Sequence, residues 1–498
     1  MTLVAEAPTW SLQSFERELA VNEIAVLSGG KACWADGAIE VEGGAAGAAR
    51  TLRRRVAFSS TIDDKTTLQF ELEQAGGATR RKVTSHALHG LHPFKGKFYP
   101  QLARSLINVA GVEPGMTVLD PFAGCGTTVL EAGLLGVRAV GVDANPLAVL
   151  VSQTKLELLA FPVQTLRKEF KSLLLKPRTL RQHTDEVYLR SWFPEKNYMT
   201  LMALLASIDR LPTGICRNAA RVVLSSTLRR ASYQQPDQVR VYRRPAASEI
   251  ADLGDLFTIA ARRLMTELEA VQRVPGLSMS SFKRHRCRVI TGDARQLEPL
   301  VRARRGRQFD AVVTSPPYAN ALPYLDTDRL SLRALGLLTE PQRQAEDRLI
   351  GNREVTTGLQ RELEQELEDA DWVPRPLRDV LTQTSAVAAE DTAGFRKRRT
   401  PALLYRYFRD MQRVLEQLAA VTAPGAPVIV VVGNNSVSGP GGSVVEIPTS
   451  DLLSQLGEQA GLKPERRLEK RLTSFGAKET VHQRNAMKRE TILFFRRA

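Results

Sequence analysis

The chain has 498 residues, too many for one hydrophobic core, so several domains are expected. Hydrophobic residues at 43% and charged ones at 25% describe a globular protein, and no apolar run approaches the roughly 20 residues of a membrane span. That excludes a membrane partner from this reading, while the net charge of +15 favours a polyanion, nucleic acid first. The amino terminus lacks a secretory signal's charged start and apolar core, and a cytoplasmic location is expected. Cys33, Cys125, Cys216 and Cys287 form no Cys-x-x-Cys pair. His86, His89 and His92 cluster, but the sequence offers them no completing carboxylate or cysteine, so no metal is expected.

Residues 1–84 read as an accessory region. Leu12 to Leu27 has helical spacing, whereas Ala38–Glu42, Arg54–Ser59 and Thr67–Leu72 alternate like strands. A break of small residues lies at 43–47, and no chemistry is evident, so a scaffold or docking role is expected. His89 to Pro100 then mixes Pro, Gly, Lys and aromatics ahead of a helix, which suits a ligand with a ring and a charged end.

The stretch 85–150 carries a strand, Met116–Asp120, then a loop from Pro121 to Thr128, a helix closed by Gly136, and a second strand from Arg138 to Val142 with Asp143 at its end. Gly124 and Gly126 let backbone approach a ligand closely. The loop is neither Gly-x-Gly-x-x-Gly nor a phosphate loop. An acid before it, Asp120, favours a cationic amino group, and Asp143 is placed for ribose hydroxyls. A nucleoside bearing an amino acid, such as S-adenosylmethionine, satisfies both.

Residues 151–280 interrupt the alternation of strand and helix. Within 151–250 there are 17 Lys and Arg against 8 Asp and Glu, a net of +9. Arg229, Arg230, Tyr233, Gln234, Arg240, Arg243 and Arg244 combine phosphate-binding and base-reading side chains, which makes this the expected target-recognition region. In 281–330 the sheet resumes at Arg288–Ile290, with Asp293 placed to accept from an adenine amine.

A buried strand, Phe309–Val313, next runs into Thr314-Ser315-Pro316-Pro317-Tyr318. The prolines end the ladder and leave a rigid tip at the carboxyl end of a strand, where open α/β sheets bind ligands. Ser315 presents an oxygen and Tyr318 a flat face, enough to grip a planar amide-like group. Residues 331–400 form a second insertion, near neutral except for the basic patch holding Arg398 and Arg399. In 401–498 a helix, a strand at 427–432, a helix at 449–461 and two antiparallel strands complete the core.

Over about 90–145 and 288–498 these motifs resemble the amino-methylating DNA methyltransferases that use S-adenosylmethionine. Asp120, Pro121, Phe122, Gly124, Gly126 and Thr127 look like the family's first cofactor motif, and His92, Pro93, Phe94, Lys97, Phe98 and Tyr99 like the motif cradling the methionine end. Ser315, Pro316, Pro317 and Tyr318 look like the catalytic motif, with Ser typical of cytosine-N4 enzymes and Asp or Asn of adenine-N6 enzymes. Many Ser-Pro-Pro-Tyr members begin with the catalytic motif, and this chain does not.

The resemblance implies a Rossmann-like α/β fold: a mostly parallel seven-stranded sheet, a C-terminal antiparallel hairpin and an inserted helical recognition region. It implies duplex DNA as partner and N4-methylation of a flipped cytosine, and it leaves open a cognate restriction endonuclease and the oligomeric state. Ser315 and the Pro316 carbonyl are then expected to accept the two amine hydrogens, with Tyr318 stacked on the base. This reading requires the Gly124 and Ser315 stretches to meet at one sheet edge. The alternatives are an adenine-N6 DNA or RNA amine methyltransferase and, as a different class, a non-catalytic regulator that binds nucleic acid.

Overall fold

Buried strands of Val, Ile, Leu and Ala set the architecture, since both faces of a parallel sheet are covered. A computed structural model of the chain describes residues 2–75, 77, 82–175, 186–236, 242–245, 248–275, 277, 287–319, 324–338, 346, 349–352, 355–389, 398–438, 444–471 and 489–498. The chain divides into two units, one of residues 1–291 and 325–340 and the other of 292–324 and 341–498.

In the first unit Thr117–Asp120 pairs in parallel with Arg138–Asp143, and that strand with Cys287–Thr291. Helix Thr127–Leu134 joins the first two and is followed by Gly136 at φ +74°, the left-handed conformation expected after a helix end. Between the second and third strands come helix Pro146–Leu159 and the insertion, whose helices are Val163–Leu175, Glu186–Trp192, Glu195–Asp209, Gly214–Leu228 and Leu253–Gln272. Apolar residues line their inner faces, Leu201, Leu204, Val223 and Leu264 among them, all essentially inaccessible.

The amino-terminal region is part of this unit. Its helix, Ser14–Ser28, fits the expected spacing, with Phe15, Leu19 and Ile24 buried. Two expected strands are not strands: 54–59 is helical only at its first two residues and irregular from 56 on, and 68–72 is helical. Arg54 and Arg55 end helix Ala48–Arg55, and residues 68–72 open helix Leu68–Ala75. In the second, Leu68, Gln69, Leu72 and Glu73 are buried, a helical spacing that the alternation of Leu68, Phe70 and Leu72 masks. The buried Glu23 carboxylate accepts from the amides of Ala57 and Phe58 and from Asn108, while Arg55 donates to Asn108 and to the Val112 carbonyl. Polar groups of the amino-terminal region are thus satisfied by helix Pro100–Val109 and the turn that follows it.

In the second unit Ala311–Thr314 runs parallel to Pro427–Gly433. Arg489–Arg497 pairs antiparallel with that strand and with Leu462–Arg471, whose register shifts between Pro464 and Arg466. Helix Thr400–Val421 and helix Thr449–Gln459 accompany them. Helices Thr357–Glu368 and Arg375–Ala389 lie in the second insertion. Counted over both units, these are the seven strands of a Rossmann-like methyltransferase fold, mostly parallel with a C-terminal antiparallel hairpin. Among the described residues no helix is long and apolar enough to cross a membrane.

Candidate functional site

The loop after Thr117–Asp120 is shaped by its glycines. Gly124 and Gly126 have φ of +50° and +81°, where a side chain is strained. A Cβ on Gly126 would lie 2.5 Å from Ser152 Cβ, so helix Pro146–Leu159 packs directly on the loop. Asp143 holds the loop by its two oxygens, accepting from Gly124 N at 2.7 Å and Asn145 N at 2.8 Å. Burial nevertheless pushes its carboxyl up to about 6, against the lowering effect of those two amides. Asp120 is buried and accepts from Phe122 N, Thr127 is buried, and Phe122 is half-buried.

Two side chains outside the expected set complete this corner. Asn145 caps helix Pro146–Leu159 by accepting from Leu147 N, and its Nδ2 donates to Asp328 Oδ2 at 2.9 Å. Burial also raises the Asp328 carboxyl to about 6, with Asp143 adding to the effect and Asn145 and Arg229 opposing it. Arg229 donates to the Thr327 carbonyl.

The loop 89–100 meets the glycine loop at Phe94, whose Cε1 would be 3.5 Å from a Cβ on Gly124. His92 is buried, with Nε2 2.8 Å from Ser225 Oγ, and burial holds its pKa down to about 3. Lys97 donates to the carbonyls of Thr84 and His89, both at 2.8 Å, and burial lowers its pKa to about 8. Tyr99 donates to Glu16 at 3.0 Å. Pro93 is exposed and Phe98 half-buried.

The histidine cluster differs from expectation, because a carboxylate does complete it. Glu131, from helix Thr127–Leu134, lies 2.8 Å from His89 Nε2 and 3.6 Å from His86 Nε2. His92 is turned elsewhere, to Ser225. Arg104 already pairs with Glu131 at 2.6 Å, so a second cation here would face a buried guanidinium. Burial raises the Glu131 carboxyl, but Arg104 and the two histidines outweigh it and hold the pKa well below the usual range. The cluster is a buried Arg104–Glu131 ion pair with His86 and His89 against its carboxylate.

In the second unit the tip at Ser315 is held from three sides. Ser315 Oγ donates to the Val431 carbonyl at 3.0 Å. Tyr407 donates its hydroxyl to the Pro317 carbonyl at 2.9 Å. Tyr318 donates its hydroxyl to Glu490 at 2.7 Å, and Glu490 pairs with Lys470. Pro316 is buried, and Asn435 reaches the Ala319 carbonyl. Asp293, expected to face a ligand amine, is engaged by Arg295 through both oxygens, and Arg295 also pairs with Asp410 at 3.0 Å.

The basic insertion spends several arginines on itself. Arg244 donates to the carbonyls of Gln234, Glu249, Arg229 and Arg230. Arg243 donates to the Ser191 carbonyl and sits 5.0 Å from the Tyr233 ring centroid and 5.5 Å from that of Trp192. Gln234 is fully buried, and Arg230 is exposed. Arg398 is exposed and Arg399 half-buried at the start of helix Thr400–Val421, while Arg240 lies outside the described residues.

With this geometry in view, comparison with known proteins finds similarity to methyltransferases of two kinds. Residues 92–168 match the family described as "RMKL-like, methyltransferase domain". That segment holds the glycine loop, Asp143 and Asn145. The chain is 25% identical over 284 residues to "Type II methyltransferase M.BsoBI" of Geobacillus stearothermophilus, covering 52% of this chain and 55% of that one. It is 21% identical over 395 residues to "Type II methyltransferase M.MvaI" of Kocuria varians, covering 75% and 81%. A stretch of 52 residues, 10% of this chain and 16% of the relative, is 48% identical to "tRNA (guanine(10)-N2)-dimethyltransferase" of Methanothermobacter thermautotrophicus. The chain thus spans about half the length of the first of these relatives.

Sequence reasoning missed Asn145, Asp328, Tyr407 and Glu490. The helix-capping spacing of Asn145-Pro146 was a usable local signal for the first. The others act across long sequence separations, and nothing local marks them.

Proposed function

We propose that this chain transfers a methyl group from S-adenosylmethionine to the exocyclic N4 amine of a cytosine flipped out of duplex DNA. The observation that carries the reading is the Ser315 hydroxyl. Its proton is given to the Val431 carbonyl, so its lone pairs are left to accept an amine hydrogen. The Pro316 carbonyl accepts the second hydrogen, and the two acceptors favour a pyramidal nitrogen with an available lone pair. Tyr318 stacks on the base. No strong base is needed, because the alkylated amine is acidic enough to release its proton to water.

When bound, S-adenosylmethionine supplies an electrophilic methyl on a sulfonium; a nitrogen–carbon bond forms as the carbon–sulfur bond breaks. The glycine loop suits such a ligand. Its backbone is bare at Gly124, its edge is aromatic at Phe94, and the Asp143 carboxylate keeps lone pairs for ribose hydroxyls beyond the two amides it holds. His92, Pro93, Lys97, Phe98 and Tyr99 shape the methionine side, with Lys97 and Tyr99 acting through the contacts that fix the loop. Asp120, Pro121, Phe122, Gly126 and Thr127 form the loop itself. Asp293, engaged by Arg295, keeps lone pairs to accept from the adenine amine.

The duplex is held by Arg230 and Tyr233 in the insertion and by Arg398 and Arg399, whose phosphate contacts position it. Arg243 and Arg244 hold the insertion's shape and Arg229 ties it to Thr327, so all three support reading indirectly. We extend the reading to a cognate restriction endonuclease as a partner.

A second reading, an RNA amine methyltransferase, is favoured by the 52-residue likeness to the tRNA enzyme. Incubation with methyl-labelled S-adenosylmethionine and duplex DNA, then nucleoside analysis, tests both. N4-methylcytosine is expected. N6-methyladenine would overturn the base assignment, label in RNA alone would overturn the duplex, and no labelled product would leave a regulator.

A further inference from the structure

We propose that Glu490, neutralised by Lys470, is a positioning residue that fixes the Tyr318 ring for stacking on the target base. The inference deepens the function proposed above and rests on the stacking role given there to Tyr318.

The geometry comes from the closing hairpin. In the ladder Glu490 stands opposite Lys470 on one neighbouring strand and opposite Gly433 on the other. Directly opposed residues share a face of the sheet. Lys470 therefore meets Glu490 as a cross-strand ion pair, in which each side chain is only 14% exposed. Gly433, at the end of strand Pro427–Gly433, puts no side chain beside Glu490. The carboxylate reaches 2.7 Å from the Tyr318 hydroxyl, 172 residues away in sequence.

The chemistry explains why a tyrosine, and not a phenylalanine, follows the two prolines. A phenol hydroxyl prefers to lie in the plane of its ring, where oxygen conjugates with it. Donating to an acceptor that cannot move therefore biases both the direction of the side chain and the tilt of the ring. Fixing that face beforehand removes an ordering cost that a flipped base would otherwise meet on arrival. Lys470 matters in the same way, because an unpaired carboxylate in this half-buried position would turn to water. The tip is then braced at three successive points, Ser315 by Val431, Pro317 by Tyr407 and Tyr318 by Glu490.

The test is a double-mutant cycle in the full chain, read by single-turnover methyl transfer and by cofactor titration. Tyr318→Phe and Glu490→Ala are each expected to slow transfer about tenfold, with the cofactor Kd unchanged and the double variant no slower than either single one. Glu490→Gln, which keeps the shape and one acceptor, is expected to recover part of the rate, and it replaces Glu490→Ala should the latter melt early. A second readout is independent of activity. With ring-13C tyrosine, the Tyr318 signal, assigned by its loss in Tyr318→Phe, is expected to show slow ring flipping that becomes fast in Glu490→Ala. Independent, additive effects on rate, or an unchanged rate in Glu490→Ala, would overturn the proposal while leaving the methyltransferase reading intact. Should the parent protein methylate neither DNA nor RNA, that reading fails instead, and an unchanged Tyr318 signal in Glu490→Ala would overturn the brace as well.

Discussion

The glycine loop at Gly124 and the proline tip at Ser315 both follow the carboxyl end of a buried strand, yet they are built in opposite ways. In the glycine loop side chains hold backbone: Asp143 spends its oxygens on the amides of Gly124 and Asn145, and the surface is kept bare. In the proline tip the rest of its unit holds the motif, through a carbonyl, a phenol and a carboxylate. The first should therefore fail when volume is added, and the second when a polar atom is removed.

The largest effect is expected at the tip. Ser315→Ala removes an acceptor needed only as the amine becomes pyramidal, so methyl transfer should fall by about 100-fold or more while calorimetry finds cofactor affinity unchanged. Transfer at the parent's rate would remove Ser315 from the mechanism. Next comes Gly126→Ala, which places a methyl 2.5 Å from Ser152 Cβ at a φ of +81°. Strain of about 1–3 kcal/mol should appear as a lower melting temperature and at least about tenfold weaker cofactor binding. A variant that binds normally would mean that the loop can open without cost.

Two smaller effects sharpen the contrast within the basic insertion. Arg244→Ala loses four carbonyl partners and should cost about 2–3 kcal/mol in chemical denaturation. Arg230→Ala should leave stability alone and reduce the salt slope of duplex binding by about one. The reverse pattern would exchange their roles.

The smallest concerns pH. Asp143 and Asp328 both have folded pKa values raised to about 6 from 3.8. A raised carboxyl binds protons more readily when folded, so its contribution to stability declines as pH rises from about 4 to about 6. Asp328→Asn keeps an acceptor for Asn145 and removes the charge beside Asp143. It should melt about 1–3 °C above the parent at pH 7.5, with the gain vanishing towards pH 4, as thermal melts across pH would show.

Much of the core was legible because its strands are continuous apolar runs closed by strong punctuation, as in Val118-Leu119-Asp120 before the glycine loop and Val312-Val313-Thr314 before the prolines. The helix at Leu68–Ala75 was not, because a short run with apolar residues two apart also satisfies a helix when polar Gln69 and Glu73 are buried beside Leu68 and Leu72. Charge misled in a similar way. A count cannot tell Arg244, whose guanidinium is spent on carbonyls, from the exposed Arg230. Glu131 beside His86 and His89, and Glu490 beside Tyr318, depend on chain segments that only folding brings together.

Residues 325–340 return to the first unit after the second has begun, so the covalent chain passes between the units at 291/292, 324/325 and 340/341. A single cut cannot release either unit whole. A protein split at 291/292 would put Asp328 on the fragment without Asn145, and reassembly of the two pieces would have to restore that hydrogen bond. Fragment complementation at this junction is thus an assay for the corner formed by Asn145 and Asp328, readable with purified fragments and no nucleic acid.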